Sequence, residues 1–254
     1  MDQVKVKEYW ESLGVQKLTG ELVTHRDINQ VHMEIDQVLS LLSQEDSLLD
    51  IGCGNGYSTS VYAKKCKRVM GIDYAQNMIE SATRNYRAEN ISFRELNVLN
   101  LNKSIGLFNV ILTTRCLINL DSWEKQEEAL KAIQSCLEPG GRFIMIEGSQ
   151  QGRNELNQLR QANGLSVMPP VWHNIDFDEV RLKNLMVKYF DIEYDIRFGL
   201  YDVLTRVQYP SLISPKEPEY GTDFHHQARK LSRHIKDDGL GRYSREFVMV
   251  FRKK

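Results

Sequence analysis

The segment Asp50-Ile51-Gly52-Cys53-Gly54-Asn55-Gly56 joins an acidic residue to three glycines spaced two apart. Such glycines let main-chain N–H groups approach a ligand closely. Where the turn leads from a strand into a helix, the amides at the helix N-terminus favour negatively charged or polar ligand groups. Two phosphate-binding arrangements do not fit. A dinucleotide site reads Gly-x-Gly-x-x-Gly or Ala, and Tyr57 occupies the third of those positions; Gly-x-x-x-x-Gly-Lys-Ser/Thr does not occur at all. Asp73 lies 21 residues beyond Gly52, a spacing suited to ribose recognition in doubly wound folds. Its plainer alternative is to cap a helix beginning near Ala75. Cys53 has no basic neighbour in the turn, which favours packing over nucleophilic work.

Proton removal near neutral pH calls for a histidine or a carboxylate. In an open α/β sheet that group should lie beyond the carboxyl ends of the strands. His173, in Pro169-Pro170-Val171-Trp172-His173-Asn174, is the leading candidate, with Trp172 and Asn174 as substrate contacts. Glu147, at the end of a strand, is a second candidate; alternatively it caps a helix or pairs with Arg153. The cluster Thr24-His25-Arg26-Asp27 starts a covering helix with Asp27 as its cap, which brings His25 and Arg26 toward a ligand. His225 and His226 are adjacent but have no further cluster around them, so they read as solvent-facing, and no metal site is expected. Tyr9 and Trp10 lie on an N-terminal amphipathic helix, as core or as a lid over a ligand.

Apolar runs of strand length occupy 47–51, 68–72, 91–96, 108–113 and 141–147, and helical spacing fills 57–65, 75–85 and 122–137 between them. Strands alternating with helices require crossover connections and hence a parallel sheet. A further amphipathic helix spans 26–42, and strand patterns at 190–197 and 246–252 complete seven strands. The expectation is one α/β domain over 1–254, doubly wound around a mostly parallel seven-stranded sheet. Residues 1–45 form a helical cover, 46–150 the ligand-binding core and 151–254 the substrate side. Within the last part, 198–241 form a lid-like insertion between the last two strands, with a helix at 222–236.

With 33 Lys and Arg against 34 Asp and Glu, the formal charge is −1. That gives no reason to expect a nucleic-acid or anionic-membrane surface. No apolar run is long enough to insert in a membrane and the start of the chain has no leader-like apolar region, so a cytoplasmic location is expected. The four cysteines are scattered, which points to free thiols.

The segments LLDIGCGNG, MGIDYAQNMI, FRELNVLNL, FNVILTTRCLINL and LEPGGRFIMIEG, in that order, resemble the class I S-adenosylmethionine-dependent methyltransferases across 48–147. The resemblance implies a Rossmann-like methyltransferase fold and S-adenosylmethionine as cofactor, with S-adenosylhomocysteine as product. Asp50 and the turn Gly52-Cys53-Gly54 would hold the methionine end. Asp73 would accept from both ribose hydroxyls, and Tyr74 and Met78 would border the adenine. Asn97, where the family most often has aspartate, and Val98 would read the adenine edge. Thr114 and Arg115 would face the methionine. The Asn/Asp-Pro-Pro-Tyr/Phe element of amino-methylating relatives is absent after the fourth strand, where Thr113-Thr114-Arg115-Cys116 stands. The cofactor motif, the near-neutral charge and the polar, aromatic insertion at 198–241 lead to the expectation of methyl transfer to a small molecule or glycan, at oxygen. The alternative is a protein of the same fold that binds the adenosyl cofactor without catalysis, or uses it without transferring methyl. Neither the acceptor nor the oligomeric state can be read from spacing.

Overall fold

The computed structural model describes residues 2–15, 20, 25–214, 216, 218–235 and 239–254. Its strands are β1 (Ser47–Ile51), β2 (Arg68–Asp73), β3 (Ile91–Glu95), β4 (Phe108–Thr114), β5 (Leu137–Gly148), β6 (Phe190–Arg197) and β7 (Glu246–Lys253). They form one seven-stranded sheet in the order β3-β2-β1-β4-β5-β7-β6. Only β7 runs against its neighbours. The expected α/β sheet is thus present, and the order reverses between β1 and β4. That reversal opens a crevice beyond their carboxyl ends, where doubly wound folds bind ligands.

The central strands are apolar on both faces. Leu48, Val110, Leu112, Ile144, Ile146, Val248 and Val250 pack on one side. Leu49, Ile51, Ile111, Phe143, Met145, Met249 and Phe251 pack on the other. A sheet covered twice needs continuous apolar runs rather than alternation, which is why these strands stand out in the sequence.

The helices are α1 (Gln3–Val15), α2 (Ile28–Leu41), α3 (Tyr57–Ala63), α4 (Gln76–Asn85), α5 (Trp123–Cys136), α6 (Gln150–Ala162), α7 (Glu179–Met186), α8 (Gly199–Val203), α9 (Tyr209–Ile213) and α10 (Asp223–His234). Asp27 caps α2, accepting from the Asn29 and Gln30 amides at 3.1 and 3.3 Å. Strand β5 starts at Leu137, four residues before the expected boundary, and takes in the Pro139-Gly140-Gly141 turn, with a register shift opposite β4. A π-helical turn, Leu204–Gln208, joins α8 to α9. Among the described residues no helix is long and apolar enough to cross a membrane.

Candidate active site

The crevice at the switch point is a cavity of about 1190 Å³, its open mouth included. Its walls include Asp50, Gly52, Cys53, Gly54, Asp73, Tyr74, Asn97, Val98, Thr114 and Arg115. Gly52 and Gly56 have φ of +75° and +80°, which other residues adopt only with strain. A Cβ on Gly52 would come within 2.6 Å of the Cys116 side chain, and one on Gly56 within 2.8 Å of Ala82 and Phe93. The turn therefore lies flat against the sheet edge.

Asp50 is tied down by the Thr59 hydroxyl, which donates to it at 2.6 Å. Asp73 accepts from the amides of Gly54 and Ala75, both at 2.9 Å. Ala75, not Asp73, is the N-cap residue of α4. Asp73 steadies the glycine turn and the entry to α4, and each oxygen keeps a lone pair for a hydroxyl donor. Burial pushes both Asp50 and Asp73 up to about 6. Asn97 uses its side-chain oxygen to cap the short turn Val98–Asn100, accepting from the Leu99 amide at 2.9 Å.

At the opposite end stands Arg115, the one described non-glycine residue with positive φ, +48°. Its guanidinium pairs with Glu34 and lies 3.8 Å from Glu246. Burial raises the Glu34 carboxyl. Glu246 is held low by Arg115 and Arg245 against the upward push of burial. Glu34 lines the cavity and escaped the sequence analysis. The available signal was an acidic residue on the apolar face of α2, between Val31 and Ile35 and Val38.

Helix α1 closes the crevice. Trp10 lines it and donates through Nε1 to Asn119 Oδ1 at 2.8 Å. Glu11 accepts from the amides of Gln76 and Asn77 at 2.9 and 2.8 Å, capping α4 from another helix.

The other expected site residues lie elsewhere. Met78 is fully buried behind the cavity wall with Ala75, Trp10 and Leu13. Glu147 is fully buried below the β4 loop and accepts from the amides of Cys116, Leu117 and Ile118 at 3.2, 3.0 and 3.3 Å. Its role there is to cap a turn, and Arg153 pairs with Asp176 instead. Burial pushes Glu147 up to about 7. His173 is not among the cavity-lining residues; its ring lies 5.0 Å from those of Tyr9 and Trp172 and 5.4 Å from that of Trp10. Asn174 accepts from the Asn119 amide at 3.2 Å, and Trp172 and Arg26 are exposed. His25 folds back on Asp27; burial, then Arg115, lowers it to about 3. The expectation of solvent-facing histidines fails for His225, which is fully buried, while His226 meets Asn29 Oδ1 at 2.8 Å.

These residues suit an adenosyl amino acid. A buried carboxylate with free lone pairs sits at the end of β2. Tyr74, Leu96 and Val98 offer surface for a flat ring, and an arginine–glutamate pair faces the other end. The fold and the crevice together define a doubly wound ligand-binding domain whose glycine turn departs from the dinucleotide pattern. Residues 48–141 match the family model described as a methyltransferase domain.

Among curated relatives, protein-L-isoaspartate O-methyltransferase of Nitrobacter winogradskyi is 26% identical over 126 residues, 48% of this chain and 53% of that one. An uncharacterized methyltransferase of Schizosaccharomyces pombe is 49% identical over 83 residues, 30% of this chain and 26% of that one. The chain thus spans about half or less of the length of these relatives. Magnesium protoporphyrin IX methyltransferase of Synechocystis with bound S-adenosylhomocysteine superimposes with a TM-score of 0.63 at 14% identity, covering 100% of both chains. That likeness concerns the fold.

Proposed function

We propose that this chain binds S-adenosylmethionine in the crevice and transfers its methyl group to oxygen on a small-molecule or sugar-type acceptor. The observation that carries the reading is the cavity at the carboxyl ends of β1, β2 and β4, where Asp50, Asp73, Asn97 and Arg115 converge. When bound, the cofactor supplies a methyl group already activated by its sulfonium. The protein's tasks are then to hold, align and keep out water. Asp73 accepts from the ribose hydroxyls, Tyr74 and Val98 flank the adenine with Asn97 at its edge, and Thr114 and Arg115 hold the amino-acid end. Trp10 and α1 seal the adenosine from solvent.

His173, packed against Tyr9, Trp10 and Trp172 and not lining the cavity, fastens α1 in this reading. The near-neutral charge supports a small acceptor rather than a nucleic acid. The described cysteines, all free, support action in the cytoplasm. We treat the chain as one functional domain whose 198–241 insertion lies on the acceptor side.

Calorimetric titration with S-adenosylmethionine, S-adenosylhomocysteine and NAD tests the reading. Both adenosyl ligands should bind and NAD should not. Asp73→Ala should weaken adenosyl binding about 10²-fold, since two hydrogen bonds to a buried charge are lost. Absence of adenosyl binding by the unaltered protein would overturn the proposal.

A further inference from the structure

Around the N-terminal turn of α2, three arginines are buried together. Arg206 is 3% exposed and Arg160 8%, and Arg245 is buried with them. Asp27 pairs with Arg206, and Asp202 with Arg245 at 2.9 Å. Arg160 has no carboxylate partner among the described residues; it donates only to the main-chain oxygens of Ser166 and Arg206. Asp202 also lies 4.0 Å from Arg206 Nε, beyond hydrogen-bond distance, so donors are left over. Arg206 spends Nη2 on Asp27 and Gln30, yet its Nε and Nη1 have no hydrogen-bond partner, and neither does Nε2 of fully buried His225. A buried guanidinium with two idle nitrogens is costly unless something else occupies them.

Arg206 lies at the centre of the π-helical turn, an uncommon geometry found mostly at functional sites. The Tyr220 ring covers it at 4.7 Å from the guanidinium carbon. Tyr220 also sits 5.7 Å from the His225 ring and within electrostatic reach of Arg160 and Arg245. It is 38% exposed, so a partly solvated ring covers this guanidinium. The cluster also connects to the cofactor crevice. Gln30 accepts from both Arg206 and Arg245, Glu246 follows Arg245 in the chain, and Glu246 lies 3.8 Å from Arg115 at the methionine end.

We infer that Arg206, Arg160 and His225, beneath Tyr220, form a recognition site for an oxyanion, a carboxylate or a phosphate, carried by the methyl acceptor. This rests on the methyl-transfer reading for the source of the anion but not for its binding. The anion displaces the Tyr220 ring and takes the N–H groups of Arg206 in a forked pair, the geometry for which guanidinium is suited. It supplies the counter-charge that Arg160 lacks.

The test uses the full chain with S-adenosylhomocysteine present and titrates inorganic phosphate in one arm and acetate in the other. Binding is followed by the side-chain NMR signals of His225 and by calorimetry. At least one anion should saturate, and the stronger arm identifies the class of acceptor. Arg206→Lys keeps a cation for Asp27 while removing the idle donors, and should weaken the anion about tenfold or more. Tyr220→Ala removes an exposed side chain and should tighten binding several-fold. A purely structural Tyr220 would not give that result. No saturation by either anion in both the unaltered protein and Tyr220→Ala, or equal affinity in Arg206→Lys, overturns the inference. Failure to bind S-adenosylhomocysteine in the same samples would instead count against the methyl-transfer reading alone.

Discussion

On the proposed reading, Asp73 carries two duties. Its oxygens already hold the glycine turn through the amides of Gly54 and Ala75, and a ribose adds donors to the same carboxylate. Those donors require the ionised form, whereas burial raises the free group to about 6. Adenosyl affinity should therefore be constant above neutrality and fall by about tenfold between pH 7.5 and pH 5, read by calorimetry at fixed ionic strength. A flat profile would mean that Asp73 does not bear the ribose. His173 gives a second prediction at this scale. Its ring is packed among Tyr9, Trp10 and Trp172, so His173→Ala should cost about 1–3 kcal/mol of stability and leave the acid limb of the turnover profile in place. Loss of that limb with stability unchanged would restore a role in proton removal.

At the scale of elements, α1 is held by a few directional contacts rather than by a large apolar face; of its thirteen residues only Val6 is buried. Glu11 caps α4 and Trp10 reaches Asn119. Glu11→Ala should leave the melting temperature within a few degrees while amide exchange in α1 rises and release of S-adenosylhomocysteine speeds up about tenfold. Exchange by mass spectrometry and stopped-flow release would report this; equal rates would show that α1 does not gate the crevice.

The sheet and its glycine turn were legible in sequence because doubly covered strands write themselves as apolar runs and the turn demands glycine. Helices α6 and α7 were not legible. Helix α6 reads QQGRNELNQLRQA and buries only Gly152, Leu156 and Arg160, a face too narrow for a periodic signal. Glu147 misled for a related reason. A carboxylate at a strand end looks the same in sequence whether it faces a ligand or three main-chain amides, and here it faces the amides. The inward turn of Glu34 and the burial of His225 both depend on partners far away in the chain, which no local pattern records.

Across the whole molecule, the insertion is fastened to α2 by buried charge. Asp27 accepts from the Tyr201 hydroxyl at 2.8 and 2.9 Å and pairs with Arg206. Asn would preserve the helix cap, so Asp27→Asn isolates the charge. It should cost about 3–5 kcal/mol in urea unfolding by leaving Arg206 uncompensated. Burial pushes the Asp27 carboxyl up, but Arg206 prevails and holds it below its ordinary 3.8. The stability it contributes is thus present above that value and lost as pH falls through the lower folded value. Acid unfolding of the variant should therefore lose the component that the unaltered protein shows there.

The sheet order also bears on how the molecule is made. Strand β6 has a single neighbour, β7, which lies between it and β5 and begins at Glu246, long after β6 ends at Arg197. During synthesis β1 to β5 can assemble in order of emergence. Strand β6, with the insertion that follows it, must wait for β7 to be threaded between it and a finished edge. Among these seven strands, the β6–β7 edge is therefore the last to form. Until then the edge of β5 stays open, the kind of interval in which nascent chains need protection from one another.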